Sequence, residues 1–240
     1  MNSFMSVVSG LPRDRGLDLI LHTPGGDIAA AEAIGDYFRS LFSDIRVIVP
    51  QLALSAGTML ACIGSRIMMG KHSCLGAFDP LIGSISARMI VDDFWKAVNS
   101  VKKDQDDAIA WSTLIHNYAP SVSEAQRAIE WSEDIVTTWL SSDMLRGEQD
   151  PMNAAKAVIS HFTELEHTKA HRRHVGPNKA AAWGLKIEML EGDPELQDRV
   201  LTVHHATIAA LTDLDAYKIF QSQVSTPVVL RVARSGSFDA

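Results

Sequence analysis

The sequence predicts an α/β fold organised around parallel strands, and three observations carry that expectation. Apolar runs at 17–22 (LDLILH), 45–49 (IRVIV) and 66–69 (RIMM) read as buried strands. Helix-like stretches follow the first two. Two strand-to-helix turns, one ending in Gly26 and one holding Ser55, lie 29 residues apart. That separation suits one βαβ unit, whose parallel strands bring both turns to the same edge of the sheet.

The elements follow in order. Leu17–His22 is the first strand. Asp27 is placed to cap the next helix, and Ile28–Phe42 repeats apolar residues at Ile28, Ala31, Ile34, Phe38 and Phe42, near the helical period. Ile45–Val49 is the second strand. Ser55 follows in the segment PQLALSAGT (50–58), and a helix is expected over Thr58–Gly64. Arg66–Met69 is a third strand, and Gly70–Pro80 a loop punctuated by glycine and proline. From Ile90 to about Glu166 apolar residues recur at helical intervals, with breaks expected at Pro120 and Pro151. Beyond lie a short helix over Ala180–Leu185, a strand over Lys186–Leu190, a last helix over His204–Gln223 and a frayed tail from Ser225. This divides the chain into an α/β core (1–89), a helical region (90–166) and a return to the core (167–240). Because little precedes the strand at Leu17, either a longer relative has been shortened or another subunit covers that sheet edge.

Bulk properties narrow the function. The 240 residues are 46% hydrophobic and 21% charged, enough for a substantial core. A net charge of −7 argues against a general nucleic-acid binder. No basic segment followed by an apolar one opens the chain, and no apolar run is long enough to span a bilayer, so a cytoplasmic setting is expected. Cys62 and Cys74 sit in apolar contexts and read as buried thiols.

The two turns carry the chemistry. Thr23-Pro-Gly-Gly-Asp27 is a tight turn whose glycines let backbone N–H groups approach a ligand. Ser55 lies among small residues (Ala53, Ala56, Gly57), which on their own also suit close helix packing; with alanine at 53, the segment is not the G-x-S-x-G elbow. Together, a hydroxyl nucleophile beside free amides is what acyl transfer needs. Its base is open: Lys96, Lys102, Lys103 or a distant histidine. Lysine serves only if burial lowers its pKa, and Lys96 has the most apolar sequence neighbours of the three, Phe94, Trp95 and Val98. His167, His171 and His174 share one helical face, but no glutamate completes H-E-x-x-H and Arg172 and Arg173 would repel a cation, so no metal site is expected. His204-His205 reads as surface or interface, and Asp104, Asp106 and Asp107 as a solvated face.

Three ordered blocks, LDLILHTPGGD (17–27), VIVPQLALSAGTM (47–59) and IMMGKHSCLGAFDP (67–80), resemble the Clp protease/crotonase superfamily. Within it they are most similar to the serine dehydrogenase proteinase group, relatives of signal peptide peptidase A, a historical label that implies no dehydrogenase. The segment GPNKAAAWGL (176–185) resembles the family more loosely. The resemblance implies a spiral of ββα units with a helical insertion or annex, assembly into homo-oligomers, and Ser-Lys peptide hydrolysis without a cofactor. It makes Ser55 the nucleophile and Gly26 and Ala56 the donors of the oxyanion hole, with Gly25, Asp79 and Pro80 lining the site. In the Clp protease branch a histidine base follows the third block; here Phe78 stands at about that position. The signal-peptide-peptidase branch takes a lysine from a downstream helix, a role matched by Lys96. Two alternatives on the same scaffold are an inactive assembly module and crotonase-type turnover of an acyl-coenzyme A.

Overall fold

The computed structural model describes residues 1–163 and 173–231. Its centre is a parallel sheet of β1 (Leu17–Ile20), β2 (Ile45–Val49), β4 (Arg66–Met69) and β9 (Ile187–Met189), in the order β1-β2-β4-β9. The expected strands at 45–49 and 66–69 are present with those bounds. A smaller sheet of β3 (Leu52–Ala53), β5 (Cys74–Gly76) and β8 (His174–Val175) stands beside it, with β3 and β5 parallel. Two of the main strands hand the chain to a short strand of the second sheet: β2 to β3 and then helix α3 (Ala56–Ala61), β4 to β5. That is the ββα repeat. Strands of two or three residues leave no periodicity, so β3 and β5 fall in segments that read as loop.

Helix α2 (Ile28–Leu41) starts where Asp27 accepts a hydrogen bond from the Ala30 amide at 2.9 Å. It buries Ala31, Ile34 and Phe38 in a core shared with Val47, Val49, Ile67, Met69 and the inner face of α3. Helix α1 (Asn2–Val8) closes this core through Phe4, whose ring meets Phe38 and Phe220 edge-on. The opposite sheet face, formed by Ile48 and Met68, packs against Leu190 and Val200.

The helical region holds α4 (Ala87–Lys103), α5 (Asp107–Ser142) and α6 (Pro151–Thr163), entered through the hairpin of β6 (Leu81–Ile82) and β7 (Ile85–Ser86). The break expected at Pro120 does not occur. Pro120 lies inside α5, exposed, two residues before Val122, which with Ala125 packs against Ala87 and Ile90 of α4. Tertiary packing carries the helix past the missing N–H. Pro151 does start α6.

The last part corrects two expectations. Helix α7 (Pro177–Ala182) precedes β9, but the final helix α8 is Pro194–Asp213, not 204–223. Asp193 caps it through the Leu196 amide, with Pro194 at its first position. The tail is a hairpin, β10 (Ala216–Phe220) paired antiparallel with β11 (Val228–Arg231). Within the expected frayed tail, Val228–Arg231 is thus a paired strand, and 232–240 lie outside the described residues.

Candidate active site

Both turns meet at the C-terminal edge of the strands. After β1 the chain continues alongside β3: the Thr23 amide donates to Leu52 O at 3.0 Å and the Leu54 amide to Thr23 O at 3.0 Å. Thr23 then holds its own turn, its hydroxyl accepting from the Gly25 amide at 3.1 Å. Gly25 has φ +114°, and a Cβ there would lie 2.8 Å from both Leu54 O and Ser55 Cβ, and 3.4 Å from Ser55 Oγ. Glycine at 25 therefore lets the two turns touch. Around Gly26 a Cβ would meet nothing within 4 Å, so the turn's outer side is open.

Ser55 is in the conformation φ +53°, ψ −123°. Only one other described non-glycine residue, Asp215, has positive φ. Such a backbone costs of order 1–3 kcal/mol and persists only where the surroundings hold it. Here they do. The Gly57 amide donates to Leu54 O at 2.8 Å and the Thr58 and Met59 amides to Ser55 O, which starts α3 immediately. The helix begins at Ala56, two residues before the sequence expectation. Ala56 is buried at the first helical position, where its N–H has no intrahelical acceptor. Gly57 permits the approach, since a Cβ would sit 2.5 Å from Thr23 Cγ2. The small residues around Ser55 thus serve packing as well as presentation.

Thr58 joins these turns to the third block. Fully buried, its hydroxyl lies 2.8 Å from Ala53 O and from Gly76 O and accepts from the Gly76 amide at 3.0 Å. Three residues beyond Gly76 lies Asp79, 2% exposed. Burial pushes its carboxyl up to about 6 from 3.8. The Ser86 hydroxyl and the Arg88 amide and guanidinium favour the anion, without reversing the shift. Neither carboxylate oxygen has a partner in hydrogen-bond geometry. Arg88 turns instead to Glu133 of α5 and Thr163 of α6. Sequence reasoning assigned Asp79 to the loop; its buried, unpaired state depends on residues far along the chain and left no signal.

The predicted residues divide into two groups. Gly25 touches Ser55 directly, with Gly26 and Ala56 next to them in sequence, and Thr58 ties this pair of turns to Gly76, three residues before Asp79. Lys96 does not join by burial: on α4 its side chain is exposed while neighbouring Ala97 faces inward. Trp95 beside it is 45% exposed, so sequence neighbours overstated how apolar the setting is. Lys102 and Lys103, in the last turn of α4, are exposed too. No described side chain hydrogen-bonds Ser55 Oγ. Phe78 is buried and stacks on Phe162 at 5.9 Å. His167 and His171 lie outside the described residues, and His174 is exposed on β8. Among the described residues no group of three or more His, Cys, Asp or Glu is placed to hold a metal ion. Of His204-His205, read as surface or interface, His205 is exposed but His204 is only 6% exposed. Cys62 and Cys74 are buried free thiols, with burial pushing Cys62 up to about 12. No described helix is long and apolar enough to cross a membrane.

Comparison with known proteins fits this geometry. The chain is 37% identical over 103 residues to the uncharacterized protein MJ0137 of Methanocaldococcus jannaschii, covering 43% of this chain and 35% of that one. It is 33% identical over 149 residues to MJ1495 of the same organism, covering 62% and 46%. A third relative is the ATP-dependent Clp protease proteolytic subunit 2 of Thermobifida fusca, 37% identical over 69 residues, covering 29% and 32%. The chain therefore matches less than half the length of each of these relatives. A family model described as "ClpP-like SDH-type serine proteinase" matches residues 2–189. That match runs from α1 to β9, through the whole parallel sheet and both turns, and the chain belongs to this family of ClpP-like serine proteinases.

Proposed function

We propose that this chain hydrolyses peptide bonds through an acyl-enzyme on Ser55. The observation that carries the proposal is the strained backbone of Ser55, held directly against Gly25 at a sheet edge. The Ala56 N–H stands at a helix start without an intrahelical acceptor, and in this proposal it and the Gly26 N–H form the oxyanion hole. Ser55 Oγ attacks the carbonyl carbon, and the two amides receive the oxyanion. A base takes the Oγ proton and returns it to the leaving amine as the C–N bond breaks. Water then cleaves the ester by the same route in reverse roles.

Lys96 is the base in this proposal, and its exposure sets a condition. A lysine serves as base where its surroundings are desolvated, so this role requires α4 to be covered, by bound peptide or by another subunit of a homo-oligomer. A catalytically inactive assembly module is the second reading, favoured by the lack of any described side chain bonded to Ser55 Oγ. Peptidase assays with pooled fluorogenic peptides separate them. Ser55→Ala and Lys96→Ala should each lower kcat/KM by roughly 10³-fold or more. Full activity in Ser55→Ala refutes the mechanism; full activity in Lys96→Ala alone moves the base elsewhere. No turnover in a folded, assembled sample supports the inactive module.

A further inference from the structure

A histidine pair sits on the far side of the sheet from α3. His22 lies two residues beyond Ile20, whose partner in register is Ile48, so alternation sends its side chain to the face covered by α8. There its ring lies 4.9 Å from that of His204, at 45°. His22 Nδ1 is buried with no hydrogen-bond partner, and His204 is 6% exposed. His22 is followed directly by Thr23, whose backbone is fastened to β3 and whose hydroxyl holds the Gly25 amide. One covalent step therefore separates the pair from the turn that touches Ser55.

The groups around the pair do not welcome a positive charge. His205 follows His204 with rings 5.5 Å apart, and His72, in the loop after β4, acts on His204 in the same repulsive sense. The acid on this side, Glu191, accepts the Lys71 amide through Oε1 at 2.9 Å, its Oε2 is buried without a hydrogen-bond partner, and Lys71 and His72 favour its anion. Burial lowers the pKa of both His22 and His204, and the neighbouring histidines lower that of His204 further.

We propose that His22 and His204 are positioning residues that clamp the Thr23–Gly26 turn against α8 while both imidazoles are neutral, and that protonating either one loosens the turn and slows reaction at Ser55. The clamp is independent of the catalytic reading; its effect on rate rests on that reading. The sign follows from linkage. A histidine whose folded pKa lies below 6.5 gives its full stabilisation above that value and loses it as pH falls through the folded pKa.

Hydrogen exchange of the whole chain between pH 7.5 and 5, corrected for intrinsic rates, tests the clamp without requiring activity. Protection in peptides covering 21–27 and 200–208 should fall progressively as pH drops below 6.5, while peptides from α5 stay level. His204→Phe keeps a ring but cannot take a proton, so it should flatten that dependence; His22→Phe is the reciprocal variant if the first does not fold. Fluorophosphonate labelling of Ser55 across the same range reads the consequence. No acid-dependent loss of protection in the wild type, or an unchanged loss in the phenylalanine variants, overturns the clamp. A pH step in exchange with no labelling at any pH leaves the clamp standing and removes the catalytic reading.

Discussion

Replacing Asp79 with asparagine should stabilise this protein, and the gain should grow with pH. The carboxyl is 2% exposed, its oxygens lack well-formed partners, and burial pushes it up to about 6 from 3.8. The folded state thus binds the proton more tightly than the unfolded chain. Stabilisation by the protonated acid is fully present below about pH 4 and is lost as pH rises through 6. A shift of about two units corresponds to about 3 kcal/mol. Asparagine copies the shape of the protonated acid and cannot ionise. Asp79→Asn should therefore exceed wild type by only about 1 kcal/mol at pH 4.5 and by about 3 kcal/mol at pH 7.5. Urea unfolding followed by tryptophan fluorescence, at pH 4.5, 6 and 7.5, measures this. An asparagine variant less stable than wild type at pH 7.5 would refute the reasoning. It would mean that Arg88 and the α4 amides need the anion more than burial opposes it.

Two further substitutions test the site's construction. Gly25→Ala places a Cβ 2.8 Å from Leu54 O in a backbone at φ +114°; it should cost about 1–3 kcal/mol in urea unfolding and abolish covalent labelling of Ser55. Thr58→Val removes the hydroxyl that serves Ala53 O and both backbone groups of Gly76, leaving buried polar groups unpaired; a loss of about 2–4 kcal/mol is expected, read as a lowered urea midpoint.

What the sequence revealed follows the length of each signal. β2 and β4 are continuous apolar runs flanked by turns, and α2 has both a cap and a period, so their bounds were legible. β3, β5, β6 and β7 span two or three residues each and exist only because a neighbouring strand completes their hydrogen bonds. Pro120 misled because its cost in a helix is local, whereas the α4–α5 contact that overrides it is not. The start of α8 was written in Asp193-Pro194, a cap followed by proline, and was there to be read. Gly25, Gly26 and Ser55 were legible because each turn needs special residues at fixed positions. The exposure of Lys96 and the buried states of Asp79 and His204 were not, because each depends on what packs against one face of a helix or loop.

The central claim is that Ser55 is an activated nucleophile, and covalent labelling tests it most directly. The folded chain would be treated with a fluorophosphonate probe, digested and mapped, with a denatured sample alongside. The account predicts modification at Ser55 that disappears on denaturation, since reactivity comes from the folded turn and not from a serine hydroxyl alone. Equal labelling of folded and denatured chains, or no labelling at Ser55 in a folded oligomer, would contradict it.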